Sequence, residues 1–341
     1  MSRTRILAAA AATAALAVSV VAPATAAPVD VIDANTEVCL DRSLWEAGSD
    51  ADTSIITAFS IAEGSVYEDP TCEGEELQGD AFDALYGVWL EQGEAGGYYG
   101  DPTELTEYTV DQSTAADGDV VITGPVEEHF GLDVQVEHRY YVEGDLARVL
   151  VTYSNPSAAP ITVVTGADSG YGSDDDIEFL ATSSGDAAPT TVADSWAVTS
   201  DGGQGDPVLS AAWQLPGAQW TADEHELYGE HGEIDNFWTG AELTVPAGGT
   251  VRLAYFVKMY GYEQGEVLGT QQVAGKGLQA TFVGSDVAAA EARAISGVSE
   301  WSAFTGRLVE GLAAGTVVAN WGTVGGAAPA TPVVVAPAFT G

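Results

Sequence analysis

Residues 132–153 read LDVQVEHRYYVEGDLARVLVTY. Leu132, Val134, Val136, His138, Tyr140 and Val142 alternate with Asp133, Gln135, Glu137, Arg139 and Tyr141. A period of two puts the first set on one face of a β-strand and the second on the other. Glu143-Gly144-Asp145 is a short turn, and Leu146 to Tyr153 is a second apolar strand. The stretch therefore predicts a β-hairpin, with Val149 and Val151 facing the core. Outward from it, Asn155-Pro156 and Ala159-Pro160 mark a loop, and Ile161 to Val164 opens another strand. Val120–Ile122, Ile177–Leu180, Ser195–Val198, Val208–Leu215 and Thr250–Tyr260 fit the same scheme, each bounded by Gly, Asp, Ser or Pro. Alternation with one wet face is the mark of antiparallel sheets. So many strands need two packed sheets, because one large sheet would leave an apolar face in water. The predicted fold is all-β, a large antiparallel two-sheet sandwich over residues 27–285.

The pattern changes near residue 286. Val287, Ala290, Ala294, Val298, Trp301, Phe304, Leu308 and Leu312 are spaced by three or four, one face of a helix with Asp286 as its N-cap. Gly297, Gly306 and Gly311 interrupt it, so a broken helical segment is expected over 286–320, packed on the sandwich. Residues 321–341, rich in Ala, Pro and Val, read as an extended tail.

Arg3 and Arg5 precede an apolar stretch from Ile6 to Val21, and Ala24-Thr25-Ala26 follows it. That is the pattern of a secretory signal peptide over residues 1–26. The expected location is extracellular, either released or loosely associated with the cell envelope, with no membrane span. Export permits a disulfide, and Cys39 and Cys72 are the only two cysteines. The chain has 341 residues, 46% of them hydrophobic, enough to fill a core. Its net charge of −41 excludes an electrostatic nucleic-acid binder, since phosphate is repelled nearly everywhere.

Residues 138–176, HRYYVEGDLARVLVTYSNPSAAPITVVTGADSGYGSDDD, resemble a secreted bacterial β-sandwich module. DSWAVTSDGGQGDPVLSAAW (194–213) and LTVPAGGTVRLAYFV (243–257) fit the same likeness. Such modules resemble the supersandwich domains of carbohydrate-active and mutarotase-like proteins. The resemblance covers about residues 120–262 and implies a fold. No mutarotase catalytic residue is carried over, because its histidine and carboxylate positions find no match here.

Three places offer chemistry. Asp174, Asp175 and Asp176 lie on a glycine-rich loop and supply the oxygen ligands that Ca²⁺ takes, although the spacing is not that of an EF-hand. No other cofactor is called for. Residues 223–235 combine His225 and His231 with six carboxylates, but HExxH would need His at 229, which is Gly, and HxxEH would need His at 227, which is Leu. Around the same loop stand Trp213, Trp220, Tyr228, Phe237 and Trp238. Sugar rings stack on exposed aromatics while carboxylates accept from sugar hydroxyls, so Trp220, Glu224, Glu226 and Tyr228 form a candidate glycan site. In that reading Trp220 is exposed, whereas Trp213 and Trp238 are core. No GxSxG nucleophile or phosphate-binding glycine loop is present. Two functions remain: a non-catalytic secreted module that binds glycan or envelope polymer, and an epimerase, lyase or hydrolase on the same scaffold.

Overall fold

The structure, a computed structural model, describes residues 27–30, 36–48, 59–79, 81–82, 84–100, 109–171, 177–186, 189, 193–203, 205–228, 236–263, 266–272, 278–283 and 285–325. Residues 1–26, where a signal peptide is expected, residues 326–341 and Asp174–Asp176 lie outside them.

Leu132–Tyr140 and Leu146–Ser154 form the expected hairpin, with Val136 opposite Val151 and Tyr140 opposite Ala147. Leu132, Val134, Val136, His138, Tyr140, Val149 and Val151 are all fully buried. The alternation holds through Tyr141, which is buried on the other side, and stops at Val142, which is exposed instead of continuing the inward row. In the turn, Gly144 has φ +78°, and a Cβ there would meet the Leu40 carbonyl at 2.0 Å. Only glycine lets this turn dock against the tip of the neighbouring sheet.

The hairpin is the centre of a ten-stranded sheet, flanked by Val120–Thr123 and Thr250–Tyr260. A nine-stranded sheet faces it. Its order runs Glu224–Tyr228, Asn236–Val245, Ile161–Gly170, Leu85–Gln92, Ser60–Tyr67, Ser43–Gly48 and Thr36–Leu40, with Ala95–Tyr98 paired to Leu85–Gln92. The main core lies between the sheets. Buried hydroxyls stitch the core together: Tyr86 Oη donates to the Phe256 carbonyl at 2.7 Å, and Tyr153 Oη lies 2.9 Å from Thr165 Oγ1. The fold is thus the all-β, two-sheet sandwich that the alternation implied.

A second core covers the outer face of the ten-stranded sheet. The helix Val287–Gly297 gives way to 3₁₀ turns at Val298–Ser302 and Gly306–Val309, the interruption expected at the glycines. Ala290, Ala294, Val298, Trp301, Phe304 and Leu308 pack inward as one stripe. Asp286 precedes the helix without a side-chain cap bond; its Oδ1 accepts instead from the Glu263 amide at 2.7 Å. Basic residues, scarce in this chain, concentrate here. Arg148, fully buried, donates to the Glu310 carbonyl and to Glu137, while Lys258 reaches Glu300 and Arg307 reaches Asp145.

The tail begins later than the sequence reading put it. Val317–Val318 pairs with Gly322–Thr323, and Trp321 is fully buried with its Nε1–H on the Ala254 carbonyl at 2.7 Å. A tryptophan beside two small apolar strands is core material, so residues 321–325 belong to the packed body.

Cys39 and Cys72 form the expected disulfide, S–S 2.05 Å. No described helix is long and apolar enough to cross a membrane.

Candidate functional site

Asn236–Val245 reads NFWTGAELTV. Phe237, Thr239, Ala241, Leu243 and Val245 are buried and face the sandwich interior. Parity then sends Trp238, Gly240, Glu242 and Thr244 to the outer face of the nine-stranded sheet. Leu85–Gln92 behaves the same way: Tyr86, Val88 and Leu90 enter the core, and Trp89 points outward with Glu91.

Sheet register brings these outward residues into rows. Tyr98, Trp89, Gly166, Gly240 and Glu224 stand side by side across five strands. The next row holds Gly87, Asp168, Trp238 and Glu226. Trp89 and Trp238 stack with centroids 4.6 Å apart and planes at 24°. A Cβ on Gly240 would lie 2.6 Å from Trp89 Cζ2 and 3.2 Å from Trp238 Cη2, so the glycine is the floor on which the two indoles rest. Trp89 is 7% exposed and its Nε1–H has no acceptor among the described residues; Trp238 is half-buried.

Tyr98 donates to Asp168 Oδ2 at 3.0 Å, and the Ser169 amide donates to Asp168 Oδ1. Burial, and then the Asp168 charge, drives the Tyr98 hydroxyl far above its ordinary value, so it stays a donor at all physiological pH. Glu224 and Glu226 are exposed on the edge strand, free to accept from a ligand's hydroxyls. Of Tyr228 only the backbone position is described, opposite Asn236.

Trp220 is the correction. It is 6% exposed and belongs to the main core, so it cannot be the open platform beside Glu224 and Glu226. The connection from Ala212 to Glu224 does not project. The Trp220 amide bonds the Ala319 carbonyl at 2.9 Å, and the Ala222 amide bonds Gln214 Oε1 at 2.7 Å, which holds the indole down. Trp213 is core as expected, and Trp238, expected in the core, takes the open place. The roles of Trp220 and Trp238 are exchanged.

Among the described residues no histidine joins a ligand cluster. His225 faces inward, edge-on to Trp213 at 5.7 Å and Phe237 at 5.5 Å, while His231 lies outside the described residues. His138 is fully buried, stacked on Phe59 at 4.1 Å, and burial pushes its pKa down to about 3. Asp117, Asp119 and Glu310 converge on one point, but Arg139 donates to both aspartates at 2.6 Å and already supplies a cation between them. Burial, followed by the Asp119 charge, raises the Glu310 carboxyl. The calcium candidates Asp174, Asp175 and Asp176 are outside the described residues.

No family profile matches the chain, and no curated protein does. Solved structures resemble it in architecture. A putative aldose 1-epimerase from Klebsiella pneumoniae is 10% identical, with a TM-score of 0.40 over 69% of this chain and 87% of that one. A galactose mutarotase-like protein from Lactobacillus casei is 10% identical, TM-score 0.37, over 66% and 99%. A heparan sulfate lyase from Pedobacter heparinus is 13% identical, TM-score 0.34, over 76% of this chain and 41% of that one. At these identities and TM-scores the likenesses carry neither a family nor an activity across.

Proposed function

We propose that this protein is exported, acts outside the cell or loosely on its envelope, and binds glycan or an envelope polymer without chemistry of its own. The reading rests on one observation, the Trp89–Trp238 stack on the outer sheet face with Glu224 and Glu226 exposed beside it. A sugar ring needs an apolar surface for its C–H face and acceptors for its hydroxyls, and this face supplies both within two strand rows. Trp238 is the stacking surface, Trp89 supports it from beneath, and Glu224 and Glu226 accept hydrogen bonds.

Retention of the purified protein on an array of polysaccharides and envelope polymers tests the proposal. The wild type is expected to be retained on at least one neutral glycan, and a Glu224→Gln, Glu226→Gln double variant to bind it more weakly with an unchanged melt. No retention at any ionic strength would refute it.

A further inference from the structure

At one end of the sandwich, where Asn236–Val245 turns into Thr250–Tyr260, a groove of about 360 Å³ opens beside the Val317–Val318 strand. Its floor is apolar and buried: Trp220, Leu243 and Ala319. Exposed Val317 and Glu242 form part of the rim, and Arg252 stands in the wall, partly buried.

Arg252 is unlike the other described basic side chains. Arg139, Arg148, Lys258 and Arg307 pair with carboxylates, and Arg42 and Arg293 donate to backbone carbonyls. The Arg252 side chain has no ion pair and no hydrogen-bond partner among the described residues. In a chain of net charge −41 an unpartnered guanidinium is conspicuous, because carboxylates are plentiful. A donor without an acceptor beside an apolar floor is complementary to a ligand that brings oxygen and hydrocarbon together.

We infer that this groove binds a small organic monocarboxylate, with the carboxylate on the Arg252 guanidinium and an apolar body over Trp220, Leu243 and Ala319. A planar guanidinium matches a carboxylate in a two-pronged bond. The rim carboxylate of Glu242 and the negative charge of the whole chain repel a second anionic group, which selects a monoanion. The apolar floor gives a hydrated inorganic anion nothing in exchange for its water.

Calorimetric titration of the full chain with hexanoate, hexanamide and inorganic phosphate tests this. Hexanoate is expected to bind saturably, hexanamide at least about tenfold more weakly, and phosphate not at all. Arg252→Gln is expected to lower hexanoate binding to the level of the amide with an unchanged melt, and Arg252→Lys to restore part of the gap. Trp238→Ala is expected to leave hexanoate binding untouched, which separates this groove from the glycan face. Equal binding of acid and amide, binding of phosphate as tight as that of hexanoate, undiminished binding by Arg252→Gln, or no binding of hexanoate would each overturn the assignment.

Discussion

Replacement of Trp321 by alanine measures whether the C-terminal segment is part of the folded body. Trp321 is fully buried, meets Phe256 edge-on at 4.8 Å and lies 5.9 Å from Phe304. Truncating a buried tryptophan costs about 3–5 kcal/mol, from lost transfer energy and the cavity left behind. The lost Nε1–H bond adds little, because the Ala254 carbonyl keeps a second donor, Asn320 Nδ2, at 2.6 Å. Cavity formation therefore dominates. Equilibrium urea unfolding of Trp321→Ala, with Val317→Ala as an exposed control, is the assay. A loss of about 3–5 kcal/mol is expected for the first and under about 0.5 kcal/mol for the second. A loss below about 1 kcal/mol at Trp321 would show that the segment is laid loosely on the sheet and that the second core does not bear on stability.

Val151→Asp places an unpaired charge between the sheets and is expected to cost several kcal/mol, seen as loss of the cooperative melt; an unchanged melting temperature would contradict the register of the central hairpin. Reduction of Cys39–Cys72, which closes 33 residues, is expected to cost about 3–4 kcal/mol in a denaturant titration with and without reductant. Burial holds the His138 pKa at about 3, below its unfolded value of about 6.5, so its neutral form is the stable one in the fold. Its contribution is complete above pH ~6.5 and is lost as pH falls toward 3, by about 1.4 kcal/mol per pH unit. His138→Phe, which keeps the stack on Phe59, is expected to flatten the wild-type stability slope between those limits, and an identical slope would contradict the burial.

The hairpin, the two-sheet class and the helical stripe were legible because they rest on local periodicity, which burial must follow. Trp238 adjoins a strand-like run, which suggests core, but adjacency to a strand does not say which face the side chain takes; parity does. In NFWTGAELTV the apolar register runs through Phe237, Ala241, Leu243 and Val245, so Trp238 already shares a face with Gly240, Glu242 and Thr244. In LYGVWLEQ the same parity turns Trp89 outward with Gly87 and Glu91. The meeting of these two indoles was not legible. It depends on Ile161–Gly170 lying between their strands, a non-local pairing that no local pattern encodes. The burial of Trp321 was hidden for a similar reason: its partners Phe256 and Ala254 lie far earlier in the chain, and its neighbours in sequence look like tail.

The central claim is that the outer face of the nine-stranded sheet, through Trp238, holds a sugar. Its most direct test is the dissociation constant for one retained glycan, measured by calorimetry on the wild type and on Trp238→Ala, with the fold of each verified by its melt. Removing one stacked aromatic is expected to weaken binding by about 1–3 kcal/mol, roughly tenfold or more, while Trp238→Phe retains most of it. Equal affinity of Trp238→Ala and wild type would contradict the claim.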